Sequence, residues 1–349
     1  MSLSMAQSRS LFYLTLVVVI FVLLGLYSYT GGGALMNSVR GQQDIDHRCS
    51  DLCPNDSHQL RASSSKQEPG GRLEWKDRLG SLPKVVNVIP AVKDVEREYE
   101  HCVPLPLSPK KGVRICVHDP KRDAIVSGHL AEGKLWESNL LDEMGKVLNK
   151  DPEMVLVDIG ANIGVYTMWA AAMGHRVVSV EMLPNNAHLL QRSVEANNFD
   201  KQVVIVHNAV YKDHRLLGTK FVADNVGATR LNVSGTSLNL DNTMRTVQVH
   251  TICMDDLVPL LEGYSLFVKM DIERSEHYAL SCADAFFSKL RVRVVQMEWQ
   301  DRTEEEGDII FKFLDAHGYQ LSGSATRYTQ VNVKTQPYDV YILKKQSAL

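Results

Sequence analysis

Several apolar runs of this 349-residue chain end in a residue with an acidic or amide side chain. The runs predict buried strands, and parallel strands present their carboxyl ends at one edge of a sheet, where α/β proteins bind ligands. Acidic residues are rarely buried without partners. Four carboxylates among five strand ends therefore indicate a site for a cofactor or for acid–base chemistry. These residues are Asp158, Glu181, Asn208, Asp271 and Glu298.

The segment VDIGANIGVYT at 157–167 is typical of a strand, a glycine-containing turn and a helix. Glu181 ends the next apolar run, about 20 residues beyond the turn. At that spacing an acidic residue reaches the ribose hydroxyls of an adenosine group held over the turn. The segment therefore predicts an adenosine-containing cofactor.

The details of the turn favour S-adenosylmethionine over a dinucleotide. A dinucleotide site needs a middle glycine so that the pyrophosphate can approach the backbone, and Asn162 stands at that position between Gly160 and Gly164. Asp158 would repel a pyrophosphate, whereas it would attract the cationic groups of S-adenosylmethionine.

Strand and helix patterns alternate from about residue 112 onward, which predicts a mostly parallel sheet with right-handed crossovers. We expect strands at 113–119, 154–160, 177–181, 202–210, 266–276, 292–300 and 338–345, and helices at 135–148, 165–173, 184–196 and 309–318. A further helix should follow the strand at 266–276 and run through Cys282.

Composition permits an ordinary globular core, with 44% hydrophobic residues and a formal net charge of -3. No block of Lys or Arg stands out, so the electrostatic signature of nucleic-acid binding is missing.

The N-terminal segment predicts a membrane anchor. Residues 11–27 carry no charge, and Arg9 precedes them, which places residues 1–10 in the cytosol and the remainder across the membrane. We expect an anchor at 11–29, a flexible stem at 30–95 and a catalytic domain at 96–349, as in a type II membrane protein of the Golgi or another secretory-pathway membrane. A cleaved signal peptide is the alternative.

Six cysteines and two N-x-S sequons, at Asn55 and Asn232, are compatible with a luminal location. Cys102 and Cys116 flank the start of the globular part and could form a disulfide. We expect Cys253 and Cys282 to be small core residues, because both fall in apolar runs.

The ordered segments VDIGANIGVYT, VVSVEMLPNN, HNAV, VQVHTICMDDL, KMDIERSE and VVQMEW, within about 113–345, resemble the FkbM-type methyltransferases. The resemblance implies a class I, Rossmann-like doubly wound fold that uses S-adenosylmethionine. It implies methylation of hydroxyl groups, often on sugars or polyketides. By resemblance the cofactor residues are Asp158, Gly160, Asn162, Gly164, Glu181 and Asn208, with Asn208 beside the adenine.

Asp271 ends the fourth predicted strand, on the acceptor side of such a cofactor. We expect Asp271 to be the base or to orient the substrate, with Glu273 and Glu298 as its partners or as ligands of sugar hydroxyls. No clear set of metal ligands emerges, so we expect no metal. Asp255 and Asp256 are expected to cap a helix at 257–261.

One residue departs from the family. The family has Gly in DIEGSE, where this chain has Arg274, which could fill the space, contact an acidic substrate or accompany lost activity. The stretch 222–245 is expected to be an inserted hairpin or loop over the site. The function that we expect is a membrane-anchored O-methyltransferase acting on a glycan or another luminal hydroxyl. An inactive binding module and a nicotinamide-dependent oxidoreductase remain as alternatives.

Overall fold

The computed structural model describes residues 75–89, 101–222, 225–233, 247–300, 302–335 and 337–345. The chain divides into two units, Met1–Gln67 and Glu68–Leu349, and the first lies outside the described residues. The predicted anchor, most of the stem and Asn55 therefore lie outside them as well. Within the described segments, no helix is long and apolar enough to cross a membrane.

Thirteen strands and eight α-helices form in the described part of the chain. The strands are β1 (His101–Pro104), β2 (Arg114–Val117), β3 (Val155–Ile159), β4 (Val177–Val180), β5 (Val203–Val206), β6 (Ala209–Val210), β7 (Leu216–Val222), β8 (Asn225–Asn232), β9 (Gln248–Ile252), β10 (Ser265–Met270), β11 (Arg291–Glu298), β12 (Tyr319–Ser322) and β13 (Asp339–Lys344). The helices are α1 (Val126–Ala131), α2 (Ser138–Leu148), α3 (Val165–Ala172), α4 (Pro184–Ala196), α5 (Val258–Leu261), α6 (Glu276–Leu280), α7 (Asp284–Lys289) and α8 (Glu304–Ala316).

The central sheet has seven strands in the order β12-β13-β11-β10-β3-β4-β5. Strands β11, β10, β3, β4 and β5 pair in parallel, and β13 runs antiparallel to both β11 and β12. Every residue of β3, β4 and β5 is buried, as expected for parallel strands covered on both faces. The predicted doubly wound, mostly parallel sheet is confirmed.

The order of the strands creates one crevice at the carboxyl edge of the sheet. From β3 the chain continues to β4 and β5 on one side and then returns to β10 and β11 on the other. Such a reversal leaves a crevice beyond the ends of the two central strands, where ligands of open α/β sheets bind. The cofactor turn after β3 and Asp271 after β10 meet there.

A second sheet, in the order β6-β9-β7-β8, stands beside the central one. The strand predicted at 202–210 is therefore two strands, β5 and β6, that belong to different sheets. The β7–β8 hairpin occupies part of the predicted insertion, whereas residues 234–246 lie outside the described segments.

Two disulfides join distant segments. Cys102 bonds to Cys116 across the β1–β2 pair, a pairing that the sequence left open. Cys253 bonds to Cys282, so the expectation of two independent core residues was wrong. Their segments meet because the Asp255 N–H donates to the Cys282 carbonyl at 3.3 Å, a contact between residues far apart in sequence that periodicity cannot reveal.

Candidate functional site

The turn after β3 adopts a left-handed backbone at three positions. φ is +79° at Gly160, +54° at Asn162 and +93° at Gly164. A Cβ on Gly160 would lie 1.8 Å from the Asp271 carbonyl oxygen, and one on Gly164 would lie 2.3 Å from Leu190 Cδ1. Only glycine fits at both positions, so the turn is tight and its backbone approaches the end of β10 closely.

Glu181 holds the turn from the end of β4. One of its oxygens accepts a hydrogen bond from the Asn162 N–H and the other from the Leu183 N–H, both at 2.8 Å. The Asn186 amide donates to Glu181 at 3.4 Å and to the Asn162 side chain at 3.0 Å. Burial raises the pKa of Glu181 to about 7 despite these bonds. Asn186 is a site residue that sequence reasoning missed, although it lies within the quoted segment VVSVEMLPNN.

Asp158 lies beneath the turn with no exposed surface. Thr167 donates to one of its oxygens at 2.6 Å, and the other oxygen has no hydrogen-bond partner. The Lys269 ammonium lies 3.9 Å from this second oxygen. Burial raises the pKa of Asp158, and Lys269 opposes that rise.

Asn208 lines the site, and its side-chain amide is hydrogen-bonded to main-chain groups. It accepts a hydrogen bond from the Asn87 N–H at 2.8 Å and donates to the carbonyls of Val85 and His250, both at 3.2 Å. The residue lines the crevice, as the resemblance implies, but its polar atoms are already paired.

Two cavities meet at the turn. The smaller, of about 60 Å³, lies against Glu181, Met182, Asn208 and Leu231. The larger, of about 640 Å³, opens on the other side toward Asp271. We call these the cofactor cavity and the acceptor cavity. Gly227 of the β7–β8 hairpin borders both, so the hairpin covers the site as the sequence predicts.

Five carboxylates line the acceptor cavity: Glu137, Asp271, Glu273, Glu298 and Asp339. Burial and then Asp271 raise the pKa of Glu273 to about 7 and that of Glu298 to about 9. Burial and then Glu137 raise the pKa of Asp339 to about 7. Protonated carboxyls and carboxylates thus stand side by side in one cavity at neutral pH.

The three predicted catalytic residues, Asp271, Glu273 and Glu298, therefore come together. Glu137 and Asp339 were missed. Glu137 precedes α2 and looks like a surface residue of a helix, whereas Asp339 reaches the site because β13 runs antiparallel to its neighbour.

A divalent cation could in principle join Asp271, Glu276 and Glu298, whose oxygens lie within 4.8 Å of one another. Glu276, however, is fully buried, and the Arg302 guanidinium lies 2.8 Å from it. A cationic partner is thus already in place, and we assign no metal to this cluster. The expected absence of a metal stays a prediction.

The side chain of Arg274 is paired outside the carboxylate cluster. Its guanidinium donates to both oxygens of Glu306 on α8, at 3.3 and 3.2 Å. Its φ of +72° lies in the left-handed region, which explains why glycine suits this position.

Asp255 and Asp256 have structural roles. Asp256 accepts from the Cys253 N–H at 2.8 Å at the start of a 3₁₀ turn, Met254–Leu257. Asp255 accepts from the Phe286 N–H at 2.7 Å in α7. Both aspartates therefore cap helical turns, but the expectation that they cap a helix at 257–261 was wrong: Asp256 caps the 3₁₀ turn Met254–Leu257, and Asp255 bonds to the first turn of α7.

Residues 158–321 match the methyltransferase FkbM domain. This part of the chain is an FkbM-type methyltransferase domain. The predicted family is confirmed, and S-adenosylmethionine is the cofactor of the domain. No curated protein matches the chain.

Several solved structures resemble this chain. The bifunctional kinase-methyltransferase WbdD has 11% identity and a TM-score of 0.39, covering 66% of this chain and 44% of its own. TYW2 of M. jannaschii, in complex with AdoMet, has 14% identity and a TM-score of 0.34, and the match covers 74% of this chain and 90% of TYW2. A SAM-dependent O-methyltransferase from Thermotoga maritima has 10% identity and a TM-score of 0.35, covering 64% and 72%. The chain spans less than half the length of WbdD, and the fold assignment rests on the sheet order described above.

The residues present fit S-adenosylmethionine. Gly160, Asn162 and Glu181 line the cofactor cavity, and Gly160 leaves the backbone bare where a Cβ would collide with the Asp271 carbonyl. The resemblance assigns the ribose to Glu181. Asp158, predicted to bind the cofactor, is fully buried and lines neither cavity.

Proposed function

We propose that the domain transfers a methyl group from S-adenosylmethionine to a hydroxyl of a neutral glycan in the secretory lumen. One observation carries the proposal. The acceptor cavity adjoins the cofactor turn and is lined by five carboxyl groups. Carboxyl groups in different protonation states can accept and donate hydrogen bonds to the hydroxyls of one sugar.

The charge of the acceptor cavity favours a neutral substrate. Its cations already face acids: Arg274 pairs with Glu306, and Arg230 lies 3.5 Å from Glu273. A phosphorylated or carboxylated sugar would meet uncompensated carboxylates and be repelled. Trp136 and the exposed Tyr338 also line the cavity and offer apolar ring faces to a sugar.

Asp271 is the residue best placed to accept the hydroxyl proton. Its N–H donates to the Ile159 carbonyl at 3.1 Å, and its own carbonyl contacts the turn at Gly160, so it stands between the two cavities. The cofactor supplies an electrophilic methyl group and needs no strong anion stabiliser, so a positioned base is the main chemical requirement of the chain.

Glu298 and Glu273 complete the acceptor side. With a pKa of about 9, Glu298 carries a proton at neutral pH and can donate a hydrogen bond to a sugar oxygen. Glu273 titrates near pH 7 and can serve in either form. Both would orient the sugar so that one hydroxyl reaches Asp271.

Two disulfides among the described residues support a luminal location, because disulfides persist in oxidising compartments. The uncharged stretch at 11–27 supports an anchor that places the domain there. A mobility shift of the full-length protein on glycosidase treatment would test this, and loss of the shift in Asn55→Gln with Asn232→Gln would assign it.

Calorimetry with S-adenosylmethionine and with NAD, followed by transfer of a labelled methyl group to a sugar panel, tests the activity. We expect binding of S-adenosylmethionine only, and label on neutral glycans rather than on sialylated or phosphorylated ones. Binding of NAD alone would indicate an oxidoreductase. Cofactor binding without transfer to any hydroxyl acceptor would indicate an inactive binding module.

A further inference from the structure

Lys269 lies at the centre of the site with only 5% of its surface exposed. It is on β10, in register with Asp158 of β3 and with Gln296 of β11. A lysine in the middle of a buried strand is rare unless it is paired. The resemblance to the family gives Lys269 no role.

The ammonium of Lys269 contacts both halves of the site. It donates a hydrogen bond to the Gly160 carbonyl at 2.8 Å, on the cofactor turn. It lies 3.4 Å from a carboxylate oxygen of Asp271 and 3.9 Å from Asp158. One cation therefore links the turn that faces the cofactor to the acid that faces the substrate.

The surroundings fix this ammonium in place. It lies 5.3 Å from the centre of the Tyr166 ring. The Tyr166 hydroxyl donates to Glu137 at 2.9 Å and accepts from the Gln296 amide at 2.8 Å. These two hydrogen bonds fix the Tyr166 ring. Because the ring packs against the Lys269 ammonium, it limits the positions that the ammonium can adopt.

We propose that Lys269 is a positioning residue for methyl transfer: its ammonium fixes the cofactor turn through the Gly160 carbonyl and holds the Asp271 carboxyl group beside that turn. The second half of this role rests on the proposed function. The first half concerns cofactor binding alone.

Lys269 is the cation that contacts Asp271 directly. The other two cations that line the acceptor cavity face different acids, Arg230 at 3.5 Å from Glu273 and Arg274 at 3.2 Å from Glu306. The position of the Asp271 carboxyl group relative to the turn therefore depends on its 3.4 Å contact with Lys269.

Two variants separate the hydrogen bond from the charge. Lys269→Met removes both, whereas Lys269→Gln keeps an amide donor and loses the charge. The exposed Lys312→Met serves as the matched control. Calorimetry with S-adenosylhomocysteine measures the effect on the turn, and kcat at saturating S-adenosylmethionine measures the effect on the placement of Asp271.

We expect Lys269→Met to weaken binding of S-adenosylhomocysteine by about tenfold or more, Lys269→Gln to recover most of this loss, and Lys312→Met to bind as wild type. In both Lys269 variants kcat at saturating S-adenosylmethionine should fall by about tenfold or more, because Asp271 loses its contact with the ammonium. Unchanged affinity together with unchanged kcat would overturn the proposal and leave Lys269 as a structural counter-charge.

A double variant keeps the test decisive if Lys269→Met fails to fold. Lys269→Met with Asp158→Asn removes both charges of the buried pair and so avoids an unpaired buried acid. We expect it to fold and to bind S-adenosylhomocysteine more weakly than Asp158→Asn alone, because the turn lacks its donor; an affinity equal to that of Asp158→Asn would overturn the proposal. If wild-type protein transfers no methyl group, the proposed function fails, yet the binding comparison still decides the effect on the turn.

Discussion

Replacing Arg274 separates backbone strain from side-chain pairing at the position where this chain departs from its family. The residue has a φ of +72°, a conformation that costs a non-glycine residue about 1–2 kcal/mol. Its guanidinium pairs with Glu306 while about a third of the side chain stays exposed. Such a pair contributes at most about 1 kcal/mol.

The two opposing contributions predict different results for two variants. Arg274→Ala keeps the strain and loses the pair, so the free energy of unfolding should fall by about 1 kcal/mol. Arg274→Gly also loses the pair, but it relieves the backbone strain. Part of that gain, about 0.4–1 kcal/mol, is offset because glycine gives the unfolded chain more conformational freedom. We expect the glycine variant to be as stable as wild type within about 0.5 kcal/mol, and more stable than the alanine variant.

Urea denaturation of the three proteins measures these differences, and cofactor binding and methyl transfer should survive in both variants because the guanidinium pairs with Glu306. An alanine variant as stable as the glycine variant would show that no strain is stored at this position. Loss of transfer in the glycine variant with the fold intact would refute the assignment of Arg274 to a structural pair.

Three further predictions follow from the site and its supports. Because burial and then Asp271 raise the pKa of Glu298 to about 9, the folded state holds a proton that the unfolded chain loses above about pH 4.3. Between about pH 4.3 and the folded-state pKa of about 9, the free energy of unfolding should therefore fall as the pH rises, by at most about 1.4 kcal/mol per pH unit. Urea titrations should show a flatter pH dependence for Glu298→Gln. A pH dependence equal to that of wild type would contradict the raised pKa of Glu298. Gly160→Ala should abolish S-adenosylhomocysteine binding in calorimetry, because its Cβ would overlap a backbone oxygen, whereas Gly174→Ala, with a φ of +98° and open space around it, should bind as wild type. Cys282→Ser should lower the free energy of unfolding by about 3 kcal/mol with cofactor binding retained, and equal stability under oxidising conditions would argue against the bridge to Cys253.

The central sheet and the cofactor turn could be predicted because local patterns specify them. Buried parallel strands read as short apolar runs, and the turn at Gly160 needs residue types that tolerate a left-handed backbone. The polar strand ends then follow from topology, so Glu181, Asp271 and Glu298 could be found before any coordinates.

The remaining features depend on contacts between distant segments. Glu137 lines the acceptor cavity from the position before α2, and Asp339 from β13, which runs antiparallel to its neighbours in the central sheet. Neither residue stands in a sequence pattern that would reveal its place. In the sequence, Lys269 is a single charged residue within an apolar run. Only the structure shows that Asp158 and Asp271 lie beside it. Asn208 has the predicted position, but its amide pairs with main-chain groups that the sequence does not locate.

Asp271→Asn provides the most direct test of the central claim, that this residue accepts the proton of a hydroxyl substrate next to a cofactor site held by Glu181. Calorimetry should show nearly wild-type binding of S-adenosylmethionine to Asp271→Asn and none to Glu181→Ala. Methyl transfer by Asp271→Asn should fall by about 10²–10⁴-fold. Transfer at the wild-type rate by Asp271→Asn would contradict the claim.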